Sequence, residues 1–125
     1  MQRSEHVAIV DDDASMRVAL ARLLHAHGID ARGYPSARAF LAVLPTTMPW
    51  CLILDVDMPG MTGLDLQREL LRLGVHVPTV VITGVGDETI AASAKALGAI
   101  AFLSKPFSRD ALMAAINVAA KEEQK

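Results

Sequence analysis

The chain has 125 residues, a net charge of −2 and 52% hydrophobic residues. This length predicts one domain with an ordinary buried core, and the apolar content excludes a disordered segment. Basic and acidic residues nearly balance, so the composition does not indicate a nucleic-acid-binding face. The single cysteine, Cys51, excludes an internal disulfide and is typical of a reducing compartment. No apolar run reaches the length of a membrane span or a signal peptide, so we expect a cytoplasmic protein with no membrane contact.

Short apolar segments alternate with longer amphipathic segments along the chain. The short segments predict five strands, at Val7–Val10, Ile29–Tyr34, Cys51–Leu54, Thr79–Ile82 and Ala101–Leu103. The longer segments predict five helices, at Ala14–His27, 37–44, Leu64–Leu73, Glu88–Leu97 and Arg109–Lys121. The second strand is mixed in polarity, which favours a position at the edge of the sheet. Such regular alternation indicates an α/β protein with a parallel sheet covered on both faces.

The chemically informative side chains all fall at the carboxyl ends of the predicted strands. They are Asp11, Asp12 and Asp13 after the first strand, Asp55 and Asp57 after the third, Thr83 at the end of the fourth and Lys105 after the fifth. In an open doubly wound sheet the ligand lies at this edge, where the strand order reverses. With the order 2-1-3-4-5, the reversal brings Asp11 and Asp12 beside Asp55.

Three converging carboxylates repel one another unless a cation or a proton lies among them. Ligands that are all oxygen atoms suit a hard cation, and Mg²⁺ fits best. Thr83 and Lys105 are hydrogen-bond donors on the same edge. Donors in this place are expected where a dianionic group, such as a phosphoryl group, arrives next to Asp55.

Four segments of the chain, VAIVDDDASMR, LILDVDMPGMTG, VITG and FLSKPF, resemble in order and spacing the motifs of response-regulator receiver domains. The resemblance covers essentially the whole chain. PSARAFL and VITGVGDE are most similar to the FixJ-type branch, whose full-length members usually have a helix-turn-helix output domain. The resemblance implies a flavodoxin-like (βα)5 fold, a doubly wound five-stranded parallel sheet of order 2-1-3-4-5. It also implies a receiver domain over residues 1–125, with any C-terminal output domain outside this chain.

The resemblance implies a metal site in the acidic cluster. Asp12 is expected to bind the cation directly and Asp11 largely through water. Asp55, the implied phosphoacceptor, is also a metal ligand, and Asp57 is expected to supply its main-chain carbonyl. The expected cofactor is Mg²⁺, with Mn²⁺ as an alternative.

The other implied roles concern the phosphoryl group and the response to it. Thr83 and Lys105 are expected to bind the phosphoryl group, and Gly84 to leave access for the donor. Thr83 and Phe102 are expected to act as the switch, and the Lys105–Pro106 bond to be cis. Without the family pattern, Phe102 is a core residue, Asp57 a turn residue and Asp13 a cap of the first helix.

The function implied is phosphorelay signal transduction. A sensor histidine kinase transfers a phosphoryl group to Asp55, which switches the face formed by the fourth helix, the fifth strand and the fifth helix. That face is the expected homodimer contact, and the output is expected to be transcription regulation, with no direct nucleic-acid contact by this domain. The protein is not expected to be an enzyme beyond its own Mg²⁺-dependent phosphorylation and dephosphorylation.

Alternatives remain at the level of the sequence. A stand-alone receiver that shuttles phosphate has the same motifs, and a pure binding scaffold has the same fold. Asp55-Val56-Asp57 also resembles the nucleophile motif of haloacid-dehalogenase-type phosphatases, but in that family the motif lies on the first strand. Two features depart from the family's usual pattern, the acidic Asp57 and the apolar Val85. Cys51 is predicted to be a core residue, and His6 a surface or loop residue.

Overall fold

A computed structural model describes residues 6–84 and 88–123. Within them, five parallel strands form one sheet in the order β2-β1-β3-β4-β5. The strands are β1 (His6–Val10), β2 (Asp30–Tyr34), β3 (Cys51–Asp55), β4 (Thr79–Thr83) and β5 (Ala101–Ser104). The helices between and after them are α1 (Ala14–Ala26), α2 (Ala37–Val43), α3 (Gly63–Leu73), α4 (Glu88–Ala96) and α5 (Arg109–Glu123). The predicted fold class and strand order are confirmed.

The sheet is buried on both faces, which explains the near-continuous apolar strands. Every residue of β1, β3 and β4 is buried, whereas β2 and β5 each have one buried residue and are otherwise partly or fully exposed, as edge strands are. One face packs on Leu24 of α1 and Ile116 of α5. The other face packs on Phe40 of α2 and Leu66 of α3. The buried strands therefore fix the position of their carboxyl ends.

Helix ends are defined by side-chain caps and glycines. Asp13 caps α1, as its sequence position suggests, and its carboxylate accepts a hydrogen bond from the Ser15 amide at 2.9 Å. Thr62 and Asp65 form a capping box at the start of α3. This capping box was not predicted, although its Thr-x-x-Asp spacing is visible in the sequence. Gly74 ends α3 with a φ of 72°, where a side chain would be strained.

Some local expectations were wrong and one was not testable. His6 is fully buried at the start of β1, because the strand begins one residue earlier than its apolar run. Asp55 is the last residue of β3 and is not in the following loop. Cys51 is buried, as predicted, and burial raises the pKa of its thiol to about 12. Val85, the apolar departure from the family pattern, lies outside the described residues. No helix among the described residues is long and apolar enough to cross a membrane.

Gly63 sets how closely α3 approaches the end of β3. A Cβ atom at this position would lie 2.7 Å from the Asp55 carbonyl oxygen and 2.7 Å from the Val56 Cα. Real Cβ atoms do not come this close to main-chain atoms, and main chain cannot move aside as a flexible side chain does. The Gly63 amide also donates to the Val56 carbonyl at 3.2 Å. The missing side chain therefore lets the helix lie directly against the strand that ends in Asp55.

We expect Gly63→Ala to lower the free energy of unfolding by about 2–3 kcal/mol through this overpacking. The measurement is urea unfolding followed by circular dichroism. Gly74→Ala is the control at the other end of α3, where an added Cβ meets nothing within 4 Å. It should cost only about 1 kcal/mol, for the left-handed conformation. A Gly63→Ala protein as stable as the wild type would contradict the close approach.

Candidate functional site

Three carboxylates meet at the carboxyl edge of the sheet. Asp11 follows β1, Asp12 comes next, and Asp55 ends β3, which lies beside β1 in the sheet. One oxygen atom from each carboxylate lies within 4.8 Å of the others. Asp11 and Asp55 are only 1% and 2% exposed, whereas Asp12 is exposed. The cluster therefore has a buried base and one side open to solvent.

The main chain holds the two buried carboxylates in place. The Asp13 amide donates to Asp11 Oδ1 at 2.9 Å, and the Asp57 amide donates to Asp55 Oδ1 at 3.0 Å. In each case the donor lies two residues after the acceptor, so the loop after each strand folds back over the carboxylate. The second oxygen of Asp11 is buried and has no hydrogen-bond partner among the described residues.

The buried position of Asp11 is costly when no cation is bound. Burial raises the pKa of Asp11 to about 6, the Asp13 amide opposes this shift, and repulsion by Asp55 adds to it. A carboxylate in this setting is stabilised by a proton or by a cation. The unpartnered oxygen and the all-oxygen donor set fit a hard divalent cation that Asp11, Asp12 and Asp55 share.

Lys105 approaches Asp55 from the β5 side. Its Nζ lies 3.4 Å from Asp55 Oδ2, which is longer than a tight ion pair. The Lys105 side chain is 36% exposed and that of Asp55 is 3% exposed. The Lys105 amide donates to the Thr83 carbonyl at 3.0 Å, which ties the end of β5 to the end of β4. The bond from Lys105 to Pro106 is cis, and so is the Leu44–Pro45 bond.

Thr83 and Gly84 lie at the edge of the site, at the end of β4. Thr83 is the last residue of β4 and is buried. Gly84 follows it and is partly exposed. A Cβ at Gly84 would lie 3.8 Å from an Asp57 carboxylate oxygen, in ordinary van der Waals contact. The Asp57 side chain is exposed, so the acidic group that departs from the family pattern lies at the mouth of the site.

Phe102 lies away from the carboxylates, in the middle of β5. It pairs in register with Val81 of β4, two residues before Thr83. The side chain is 37% exposed, so it is not a core residue in this structure. Its neighbour Leu103 is buried on the opposite face of the strand. Phe102 therefore belongs to the outer surface of the edge strand.

Comparison with known proteins shows the family. Residues 7–117 match the model of the response regulator receiver domain. The chain belongs to this family. It is 41% identical to nodulation protein W of Bradyrhizobium diazoefficiens over 119 residues. This match covers 95% of this chain and 52% of the relative. It is also 41% identical to the transcriptional regulatory protein FixJ of Azorhizobium caulinodans over 116 residues. This match covers 93% of this chain and 55% of the relative.

A solved structure gives the same answer for the fold. The crystal structure of FixJ-N superposes on the chain with a TM-score of 0.88 at 38% identity, and covers 97% of this chain and 96% of that one. The chain is thus a receiver domain of the kind found in response regulators of two-component signalling. It spans about half the length of the curated relatives it matches.

Sequence reasoning did not find the residues that support this receiver-domain site. They are Gly63, which lies against the main chain of Asp55, and Arg17, whose guanidinium donates to the Asp11 carbonyl oxygen. No chemistry-bearing pattern marks such residues, since a glycine and a helix arginine are common in any sequence. Only the position of Gly63 next to the Thr62 cap gave a signal.

Asp11→Asn should make the metal-free protein more stable at pH 7. The pKa of Asp11 is higher in the folded protein than in the unfolded chain. The folded protein therefore binds the Asp11 proton more tightly than the unfolded chain does. The stability gained from that proton is complete below the ordinary pKa of 3.8 and is lost as the pH rises through about 6. The neutral amide removes this loss, and we expect a gain of about 1–3 kcal/mol at pH 7.

The measurement is urea unfolding with a chelator present, at pH 4.5 and at pH 7. Asp57→Asn is the matched control, since it removes the same charge from an exposed position. The control should change the unfolding free energy by less than about 0.5 kcal/mol. An Asp11→Asn protein less stable than the wild type at pH 7 would show that the carboxylate is stabilised by its surroundings even without a cation.

Proposed function

We propose that Asp55 accepts a phosphoryl group and that the chain is one receiver domain over residues 1–125. The observation behind this proposal is the surroundings of Asp55. Its carboxylate is buried at the end of β3, beside two acidic residues whose carboxylates are placed to share a cation with it, and 3.4 Å from the Lys105 ammonium. A carboxylate placed between a cation site and a lysine is suited to nucleophilic attack on phosphorus, because both neighbours neutralise the phosphoryl oxygens.

The reaction is an in-line displacement at phosphorus. One oxygen of Asp55 forms the new O–P bond while the bond from phosphorus to the donor breaks, and the leaving group takes a proton from solvent. The product is an acyl phosphate on Asp55. Asp55 Oδ1 is held by the Asp57 amide, so Oδ2, the oxygen nearer to Lys105, is the proposed nucleophile. Positioning and charge neutralisation do most of the work in such a loose transition state.

Asp11, Asp12 and Asp55 are the proposed side-chain ligands of Mg²⁺, with Mn²⁺ as an alternative, and Asp57 adds its main-chain carbonyl. Asp12 would bind the cation directly and Asp11 would bind it through water, as the family resemblance implies. When bound, the cation neutralises phosphoryl oxygens and the negative charge of the cluster. The unpartnered buried oxygen of Asp11 supports this assignment, since a buried carboxylate oxygen needs a donor or a cation.

The phosphoryl oxygens are bound on the far side by Thr83 and Lys105. Thr83 ends the strand next to β3, and Lys105 is tied to it through their main chains. Gly84 leaves the approach open for the donor. Hydrolysis of the acyl phosphate needs a water molecule on the same approach, where Asp57 lies. The chemistry on this site is limited to its own phosphorylation and dephosphorylation, and the chain is not an enzyme for other substrates.

The phosphodonor is a sensor histidine kinase, and the output is transcription regulation through a further domain. The relatives support this, because the chain matches about half of a protein named as the transcriptional regulatory protein FixJ. The protein is proposed to act in the cytoplasm, without direct contact between this domain and nucleic acid. A stand-alone phosphate shuttle would have the same site and is distinguished by the full length of the native protein.

Asp55→Asn tests the proposed phosphoacceptor. The wild type, incubated with a small acyl phosphate or phosphoramidate and Mg²⁺, should gain one phosphoryl group by intact-protein mass. Asp55→Asn and the wild type with a chelator should gain none, because the first lacks the nucleophile and the second lacks the cation.

Asp57→Asn is the matched control, since it removes a carboxylate two residues away and keeps the main-chain carbonyl. It should still be phosphorylated. A phosphoryl gain in Asp55→Asn at the wild-type level would locate the acceptor elsewhere. Steady release of phosphate from many equivalents of an alcohol phosphate ester would favour the phosphatase alternative.

Phe102 is the proposed relay from the site to the surface. Phosphorylation draws Thr83 toward the phosphoryl group, and Phe102, now 37% exposed, turns into the space that opens. This would change the face formed by α4, β5 and α5, which is the proposed homodimer contact. The energy comes from contacts that exist only in the phosphorylated state.

Phe102→Ala should therefore uncouple phosphorylation from dimer formation. The variant should gain a phosphoryl group as the wild type does but lose most of the phosphorylation-dependent shift toward dimer. The measurement is sedimentation velocity on both forms. Leu73→Ala, which shortens an exposed apolar residue at the end of α3, should leave the shift intact. Normal dimer formation by phosphorylated Phe102→Ala would refute the role of the aromatic ring.

A further inference from the structure

The main chain between Asp11 and Asp12 is held by a side chain from the first helix. Arg17 is the fourth residue of α1, and its Nη1 donates to the Asp11 carbonyl oxygen at 2.7 Å. This is a short bond with a charged donor, a class about twice as strong as a neutral hydrogen bond. The bonded oxygen belongs to the peptide plane that joins Asp11 to Asp12. Its orientation sets the direction in which the Asp12 side chain leaves the main chain.

The stem of Arg17 is positioned by a glycine on the neighbouring strand. A Cβ at Gly33 of β2 would lie 3.2 Å from Arg17 Cδ and 3.5 Å from Arg17 Cβ. These distances show that the stem lies against the Gly33 main chain, where a larger residue would press on it. Arg17 is thus held between its own helix and β2, and its guanidinium reaches the end of β1 from a fixed base.

Asp11 is held from its other side as well. Its amide donates to the carbonyl of Tyr34, the last residue of β2, at 3.2 Å. The amide of Asp13 binds the Asp11 carboxylate at 2.9 Å. With the Arg17 bond, all three polar groups of Asp11 have a partner, and only its second carboxylate oxygen is left without one among the described residues.

The Arg17 guanidinium does not act by neutralising a carboxylate. Across residues 6–84 and 88–123, Arg17 forms no ion pair within 4.0 Å. The basic side chain that pairs with the carboxylate cluster is Lys105, through Asp55. An arginine six residues from an acidic pair would be expected to bind a carboxylate if charge were its role. Here it binds a carbonyl, so its contribution is to the geometry of the loop.

We propose that Arg17 is a positioning residue for the cation site, which fixes the peptide between Asp11 and Asp12 so that both carboxylates face Asp55 before a cation binds. The proposal rests on the proposed function, since it concerns the cation that serves phosphoryl transfer. Three carboxylates within 4.8 Å of one another repel, and the exposed Asp12 is the one free to turn away. Holding its peptide reduces the ordering that cation binding would otherwise require.

Arg17→Met tests the proposal, because methionine keeps an unbranched apolar stem against Gly33 and removes the donors. The Mg²⁺ dissociation constant, measured by calorimetric titration, should rise about 10- to 100-fold, as for other residues that orient metal ligands. Arg22→Met is the matched control. It removes the same charge from the same helix, at an exposed position. Its Mg²⁺ dissociation constant should change less than twofold.

The second measurement needs no cation. Amide exchange of Asp13, followed by NMR in the metal-free protein, reports whether the loop over the Asp11 carboxylate is held. Exchange should become several-fold faster in Arg17→Met and stay unchanged in Arg22→Met. If the methionine variant does not fold, Arg17→Gln, which keeps the stem and a neutral donor, is measured instead and should show a smaller loss in both measurements.

Three results would overturn the proposal. They are an unchanged Mg²⁺ dissociation constant in folded Arg17→Met, an equal loss in Arg22→Met, and unchanged Asp13 exchange in Arg17→Met. A merely structural role would lower the unfolding free energy without moving either measurement. A wild type that binds no Mg²⁺ would overturn the proposed function instead, and the Asp13 exchange rate would still decide whether Arg17 holds the loop.

Discussion

Repulsion among the carboxylates of Asp11, Asp12 and Asp55 is the constraint on which the rest of the site depends. Placing one oxygen from each within 4.8 Å of the others is unfavourable unless something opposes it. The fold opposes it with main-chain amides, one on Asp11 and one on Asp55, and with the Lys105 ammonium. Burial, with a smaller contribution from repulsion by Asp55, still leaves the pKa of Asp11 raised to about 6. The site is built to receive positive charge, and the protein is less stable for having it.

The surrounding core holds the carboxylates in this unfavourable arrangement. β1 and β3 lie side by side and are buried at every position, so their carboxyl ends do not shift to relieve the repulsion. Gly63 lets α3 press against the end of β3. On the other side, Arg17 and Tyr34 fix the main chain of Asp11. The parts of the site that must stay rigid are thus supported by apolar packing and main-chain hydrogen bonds.

Several side chains at the rim of the site are less supported than its base. Asp12 and Asp57 are exposed, Lys105 is partly exposed and 3.4 Å from its partner, and Phe102 is on the outer surface of an edge strand. Of the two residues proposed to change state, Phe102 is at this rim, whereas Thr83 is buried at the end of β4. A rigid base of strands with exposed side chains at its rim suits the proposed switch, because phosphorylation can then rearrange the rim without unpacking the core.

The sequence by itself determined the fold class, the five strands and helices, and the chemistry gathered at one edge. It did so because burial of a parallel sheet imposes apolar strands, and because the ligand edge of such a sheet collects the polar residues that follow them. Asp13 was identifiable as a cap from its position alone. The family followed from four motifs whose order and spacing are visible in the printed chain.

The tertiary structure alone decided how the acidic residues are held. That Arg17 binds a carbonyl and not a carboxylate, that Gly63 touches the Asp55 main chain, and that His6 is buried all depend on distances between elements far apart in the chain. The same is true of Phe102, which a strand pattern suggests is core and which the edge position of β5 leaves exposed. Residue type and spacing set local structure and the side of the sheet, but the partner of each group depends on how separate elements pack together.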